Sequence, residues 1–128
     1  MSDQAEKKTS MVVGIHHVAV VVSDVVKAAD FYRKVFELPE RKRLTAAVSS
    51  HGGAWFQVGP LELHLQERKG ETPKSDQHFA LLTENFDELC NRVRECGGHV
   101  DEAKLIEGVS KRCFVFDLDN NRIELLQR

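Results

Sequence analysis

Gly14-Ile15-His16-His17-Val18-Ala19-Val20-Val21-Val22-Ser23-Asp24 reads as an apolar strand running into a helix cap. The same grammar returns at Asp76-Gln77-His78-Phe79-Ala80-Leu81-Leu82-Thr83-Glu84-Asn85: a histidine, a short apolar strand, then polar residues suited to start a helix. His17 and His78 stand 61 residues apart, and Leu61-Glu62-Leu63 and Ile123-Glu124-Leu125 stand 62 apart. Each half of the chain thus carries a histidine early and a glutamate late, separated by 45 residues in the first half and 46 in the second. A period of this size marks one half-domain used twice. Each copy brings one imidazole and one carboxylate, two potential metal ligands.

Outward from these stretches, each half reads as β-α-β-β-β. Strand one, about Val12–Val22, leads to a helix capped by Ser23 or Asp24 and running to about Phe36, with Val25, Ala28, Phe31, Tyr32 and Val35 as its apolar stripe. Strands are expected at about Arg43–Val48, Ala54–Val58 and Leu61–Gln66, turned by His51-Gly52-Gly53 and Gly59-Pro60. In the second half a strand at Gln77–Leu82 precedes a helix whose Asn85 and Glu88 have capping-box spacing. Phe86, Leu89, Cys90 and Val93 form its inner face, and Gly97-Gly98 stops it. Strands at about His99–Leu105, Lys111–Asp117 and Arg122–Gln127 follow, with Asp119-Asn120-Asn121 as a hairpin turn. Residues 1–11 are expected to be a flexible tail. Residues 12–127 are expected to form one domain: module one at about 12–67, a linker at about 68–75, and module two at about 76–127.

Side-chain alternation in strands then sorts the faces. Leu61, Leu63 and Leu65 oppose Glu62, His64 and Gln66, while Val18, Val20 and Val22 oppose His17. Phe79 and Leu81 oppose His78, and Ile123 and Leu125 oppose Glu124. All four candidate ligands fall on the face that a helix would not cover. A pseudo-two-fold would bring them into one cup. His64 shares that face as a lining residue or alternative ligand. His16 is expected to pack on the helix side, and His51 and His99 to lie in turns or at the surface.

With 128 residues the chain is long enough for a core of its own. A net charge of −2 without a basic stripe speaks against nucleic acid and anionic membranes as partners. The longest apolar run, Val18–Val22, is too short to span a bilayer. The polar start Met1-Ser2-Asp3-Gln4 lacks a secretory pattern, so a cytoplasmic location is expected. Cys90, Cys96 and Cys113 form no CxxC and fit reduced thiols, Cys90 and Cys113 being buried.

Four stretches in order, Gly14-Ile15-His16-His17-Val18-Ala19-Val20, Ala29-Asp30-Phe31-Tyr32-Arg33, Leu61-Glu62-Leu63 and Phe116-Asp117-Leu118-Asp119-Asn120-Asn121-Arg122-Ile123-Glu124, resemble the vicinal oxygen chelate superfamily. That superfamily includes glyoxalase I, fosfomycin-resistance thiol transferases, methylmalonyl-CoA epimerase, extradiol dioxygenases and bleomycin-resistance proteins. The resemblance implies an α+β fold of two tandem βαβββ modules, a curled, cup-shaped mixed sheet with helices on its outer face. It also implies a divalent metal held at His17, Glu62, His78 and Glu124, and a homodimer with sites shared between subunits. By the same analogy Trp55, Gln57, Arg112 and Phe114 line the cup with His64 and bind the substrate. Some family features are altered. The usual Asp-Pro-Asp-Gly turn is Asp117-Leu118-Asp119-Asn120 here, and Glu37 replaces the glycine that ends the first helix, at roughly 1 kcal/mol if the left-handed conformation persists. Val21 stands where bacterial glyoxalase I has its glutathione-binding arginine, and Ala19 where the fosfomycin enzymes have a hydroxyl. Neither specific activity therefore transfers.

Two imidazoles and two carboxylates suit an octahedral Zn, Ni, Co, Mn or Fe with two open positions. A substrate would chelate there through adjacent oxygens, and Glu62 or Glu124 would move a proton as the catalytic base. Two glutamates converging in a half-closed cup without a cation would also cost several kcal/mol each in desolvation. The expected function is a metal-dependent, glyoxalase-like lyase or isomerase acting on a small molecule. The alternatives are an extradiol-type dioxygenase and a protein that sequesters a drug or metabolite without turnover.

Overall fold

The computed structural model of the chain describes residues 10–41, 53–70 and 75–128. Its order repeats as the sequence periodicity requires. Module one runs β1 (His17–Val22), α1 (Val25–Phe36), β2 (Glu40–Arg41), β3 (Gly53–Val58) and β4 (Leu61–Glu67). Module two runs β5 (His78–Leu82), α2 (Phe86–Glu95), β6 (His99–Glu102), β7 (Lys111–Phe116) and β8 (Arg122–Gln127). The expected strand at Arg43–Val48 and the turn at His51 lie outside the described residues. The short β2 pairs with Trp55 and Phe56.

Among the described residues the strands form two four-stranded sheets, ordered β1-β4-β3-β2 and β5-β8-β7-β6. In each, the histidine strand lies at an edge and runs parallel to the last strand of its module, while the remaining pairs are antiparallel. Parallel pairing needs a crossover, and the intervening helix supplies part of it. The architecture is α+β.

Local chemistry explains both helices. Asp24 is extended (φ −142°) and its carboxylate accepts the Lys27 amide at 3.0 Å, closing the start of α1. At the other end Glu37 takes the left-handed conformation (φ 54°, ψ 36°), as the missing glycine predicts. The capping box expected at Asn85 does not form. Asn85 makes no side-chain cap, and Glu88 turns instead to Arg92 at 2.6 Å. The Phe86 amide donates to Gln127 Oε1 and the Val25 amide to Glu67 Oε2, so a strand side chain caps each helix start. Gly97 ends α2 at φ 92°. At Gly98 a Cβ would stand 2.5 Å from the Phe116 carbonyl oxygen and 3.0 Å from the Phe31 ring, which only glycine avoids.

One hydrophobic cluster draws on both modules: Ala28, Phe31, Tyr32 and Val35 of α1, Cys90 and Val93 of α2, and Val22, Phe56, Leu63, Leu65, Val115, Ile123 and Leu125 of the strands. Each fully buried Leu, Ile or Phe contributes about 1.5–3 kcal/mol, so neither module's face is independent of the other. Polar ties reinforce the junction. Tyr32 donates to Asp117 Oδ2 at 2.7 Å, and Asn121 Nδ2 donates to the Val21 carbonyl at 2.9 Å. Burial and the Asp117 carboxylate push the Tyr32 phenol well above its usual range, while burial pushes Asp117 up despite four donors on its oxygens. Cys90 and Cys113 are free and buried, Sγ to Sγ 3.6 Å, and burial pushes the Cys113 thiol up to about 12. Among the described residues no helix is long and apolar enough to cross a membrane.

Candidate metal centre

The core takes the alternate residues of each strand, so His17, Glu62, His64, His78 and Glu124 stand on the opposite faces, as the alternation predicts. Their assembly differs from the single cup. The imidazoles and carboxylates form two separate constellations, one on each sheet. Among the described residues no three His, Cys, Asp or Glu side chains gather as a metal site.

Module two holds the simpler constellation. His78 Nδ1 lies 3.0 Å from the Asp76 carbonyl, an oxygen that only accepts, so Nδ1 carries a proton. That leaves Nε2 facing Glu124 Oε1 at 3.2 Å. An imidazolium would donate Nε2–H to this carboxylate, whereas a neutral ring leaves two acceptors face to face, a contact that a metal cation between them would relieve. Donors about 2.1 Å from one ion at right angles would be about 3.0 Å apart, close to this spacing. A carbonyl on the far ring nitrogen is the usual orienting partner of a ligand histidine. These two residues fit a divalent ion. Arg112 Nε donates to Glu124 Oε2 at 2.7 Å, and this bond, with help from His78, holds the carboxyl below its usual range against the effect of burial. Phe114 meets His78 edge-on at 5.4 Å between ring centroids.

Module one is more crowded. His64, 8% exposed, is sandwiched between His17 at 4.1 Å and Trp55 at 4.3 Å, all three rings near parallel. Its Nε2 donates to Glu62 Oε1 at 2.9 Å, and Arg41 Nη1 donates to Glu62 Oε2 at 2.7 Å. The His64 bond is the main reason that Glu62 also sits below the usual carboxylate range, with Arg41 adding and burial opposing. His17 turns Nδ1 to His16 Nδ1 at 3.0 Å, and its Nε2 has no hydrogen-bond partner among the described residues. Stacked face to face, the His17 and His64 rings do not point their nitrogens at a common in-plane ion. In this arrangement His64 holds Glu62 rather than joining it. Gln57 is committed to its own turn, donating to the Gly59 and Leu61 carbonyls while Arg41 donates to its Oε1.

Three expectations change. His16 is exposed rather than packed under the helix. The two glutamates each have an arginine, Arg41 or Arg112, so their desolvation is compensated without an ion and that argument for a metal loses its force. Finally, the glutamates are not equivalent. His17 pairs with Glu62 across the ladder, whereas His78 pairs with Arg122 and Glu124 lies opposite Ala80. The helix-capping side chains agree, Glu67 lying five residues beyond Glu62 but Gln127 only three beyond Glu124. By register Glu62 corresponds to Arg122, and His64 corresponds to Glu124. Sequence reasoning missed Arg41 and Arg122. Arg41 sits in a charged run that resembles surface. Arg122 gave a usable signal, standing two residues from Glu124 and so on the same face.

The family model described as Glyoxalase/Bleomycin resistance protein/Dioxygenase superfamily matches residues 14–125. The chain belongs to this superfamily. Within the glyoxalase superfamily, lactoylglutathione lyase of Escherichia coli O157:H7 is 31% identical over 121 residues, covering 87% of this chain and 90% of that protein. Fosfomycin resistance protein FosX of Listeria monocytogenes is 25% identical over 121 residues, 90% of each. A mutant of that FosX, solved with Mn(II) and 1S,2S-dihydroxypropylphosphonic acid, superposes with a TM-score of 0.76 at 22% identity, covering 91% of this chain and 93% of that one. A putative glyoxalase family protein from Bacillus anthracis gives a TM-score of 0.79 at 25% identity, covering 94% and 99%. These likenesses establish the vicinal oxygen chelate resemblance and the tandem-module fold.

Proposed function

We propose that the protein is a metal-dependent, glyoxalase-like lyase or isomerase whose small substrate chelates a divalent ion through adjacent oxygens. The observation that carries this reading is the His78–Glu124 pair, with Nε2 and Oε1 3.2 Å apart and Nδ1 anchored on the Asp76 carbonyl. Relatives named as a lactoylglutathione lyase and as a FosX solved with Mn(II) support it. His17 and Glu62 are the further ligands. Because one chain holds the ligands as two separate pairs, the working form is a homodimer. One protomer's His17 and Glu62 would meet the partner's His78 and the partner's Glu124. The edge strands β1 and β5 and the exposed apolar residues Met11, Val12, Val13 and Ile15 beside β1 favour such pairing.

When bound, the ion supplies Lewis acidity at the substrate's oxygens. The protein's own residues do the rest. Asp76 fixes the His78 tautomer. Arg112 holds one oxygen of Glu124 and leaves the other facing His78, while Glu62 has Arg41 on one oxygen and His64 on the other, so His64 must yield before Glu62 takes a ligand or a proton. Glu62 or Glu124 is the base. Phe114 and Trp55 wall the site. A second reading, a binding protein without turnover, is favoured by the arginine already on each carboxylate. Elemental analysis of dialysed protein, with sedimentation and a panel of hemithioacetals, 2-oxoacyl thioesters and catechols, separates them. Close to one divalent ion per chain with turnover of a panel member is the expected result. Metal-free protein that binds but converts nothing defeats it.

A further inference from the structure

Two arginines stand on the ligand face of module two in different states. Arg112 is engaged, donating to Glu124 and from Nη1 to the Lys104 carbonyl at 2.8 Å. Arg122 lies over the Phe114 ring, its guanidinium carbon 4.1 Å from the centroid. Its Nε is buried and has no hydrogen-bond partner among the described residues. Its Nη1 meets Asp76 Oδ1 at 3.2 Å, but the Asp76 side chain is fully exposed, so water screens this pair to little net worth.

The guanidinium borders an open hollow of about 460 Å³, lined also by Ser75, Asp76, His99, Asp101, Phe116 and Asn120. Arg122 pairs with His78 in the ladder and precedes Glu124 by two residues on the same strand face. Arg122 is thus common to the hollow and to the strand positions beside the candidate ligand pair. Of its two carboxylates, Asp101 is taken up by His99 Nε2 at 2.6 Å. Among the described residues Asp76 is the one carboxylate on the arginine, and it stands on the solvent side. The buried Nε lies out of a ligand's reach, so a two-oxygen acceptor in the hollow would meet the planar guanidinium from its Nη side, where the exposed Asp76 carboxylate now sits.

We propose that Arg122 is the anion anchor of this site. It receives a carboxylate or phosphate-type oxyanion of the substrate in place of Asp76, while the substrate's adjacent oxygens lie towards His78 and Glu124. This rests on the chelating-substrate reading and narrows its substrate class to small acids.

Inorganic phosphate, titrated into chelator-treated full-length protein, is the probe, followed by NMR of the arginine Nε–Hε signals. The signal absent from Arg122→Met is expected to shift saturably. Phosphate binding is expected to fall by about tenfold to a hundredfold in that variant. Asp76→Asn keeps the carbonyl that holds His78 but removes the competing charge, and should tighten phosphate binding. If Arg122→Met fails to fold, Arg122→Lys keeps the charge without the fork and should weaken binding in the same direction. An unmoved Arg122 signal, or variants that bind phosphate as the wild type does, overturns the anchor. Metal content of the untreated protein, measured in parallel, separates the two readings. Metal without a phosphate response defeats the anchor alone, and a phosphate response without metal defeats the chelation alone.

Discussion

The two modules share an element order and a ligand face, yet they treat their carboxylates differently. In module two Glu124 lies two residues beyond the partner of His78, and it faces Arg112 on one oxygen and His78 on the other. In module one Glu62 lies directly opposite His17, but its oxygens go to His64 and Arg41, while His17 stacks on His64. A duplicated scaffold thus preserved which face the groups occupy and changed which groups touch. Module two presents a converging imidazole and carboxylate. Module one presents a carboxylate already satisfied by neighbours and an imidazole held by stacking.

The largest expected consequence concerns metal. His78→Ala and Glu124→Gln should abolish tight divalent-metal binding, whereas Glu62→Gln should weaken it by about 10–100-fold, as the loss of a less directly engaged group does. Elemental analysis and calorimetric titration of the three variants would show it. Equal losses in all three would erase the distinction between the modules, and unchanged content in the two module-two variants would remove the ligand assignment altogether.

The hairpin turns differ too, and stability should report it. The β3–β4 turn is bridged by Gln57, while the β7–β8 turn is built on Asp117. The Asp117 oxygens accept the Asp119 and Asn121 amides, the Asn121 side chain and the Tyr32 hydroxyl. Asp117→Asn puts an amide group in front of two of these donors and should cost about 2–4 kcal/mol in denaturant unfolding. A cost no larger than that of Gln57→Ala would show the two turns to be equivalent after all.

Acid titration sharpens the comparison next. Glu62 and Glu124 both have lowered folded-state pKa values. Each therefore contributes stability above the unfolded carboxylate value of about 4.3, and that contribution is lost as pH falls through the folded value. Asp117 has a raised value, so its contribution runs the other way, present below about 3.9 and lost as pH rises through the folded value. Glu124→Gln and Glu62→Gln should each flatten the acid limb of a stability–pH curve, and Asp117→Asn should not. The smallest effect belongs to the helix ends. Glu37→Gly gives α1 the residue type that ends α2. It should stabilise by about 0.5 kcal/mol, relief of the left-handed strain outweighing the loss of the exposed Glu37–Arg92 pair. Thermal unfolding that moves down instead would mean that the pair matters more than the strain.

Much of this was legible beforehand, for identifiable reasons. The two-residue alternation of strands put Leu63, Leu65, Ile123 and Leu125 in the core, Val18 and Val20 against it, and their neighbours on the far face, without any tertiary information. The helical stripe of α1 was equally plain, because Ala28, Phe31, Tyr32 and Val35 recur at its period. Glu37 and Asn120, at φ 54° and 63°, were readable from what normally stands at such turns. Local rules failed where a distant residue intervened. Gln127, 41 positions away, caps α2 in place of the local box. Arg41 reaches Glu62 only because a two-residue strand pairs with β3.

Alone, the amino-acid order determined the duplication, the tandem βαβββ plan and the face on which the two histidines and two glutamates stand, since all of these follow from periodicity along one strand or helix. The tertiary structure decided the register. It set Glu62 against His17 but Arg122 against His78, gave each carboxylate its arginine, and divided the expected set of four into two pairs. Parallel strands joined through a helix and some forty residues carry no local signal of alignment. Their offset is settled by how the helix packs and which side chain caps it, and a slip of two residues keeps every face while changing every neighbour.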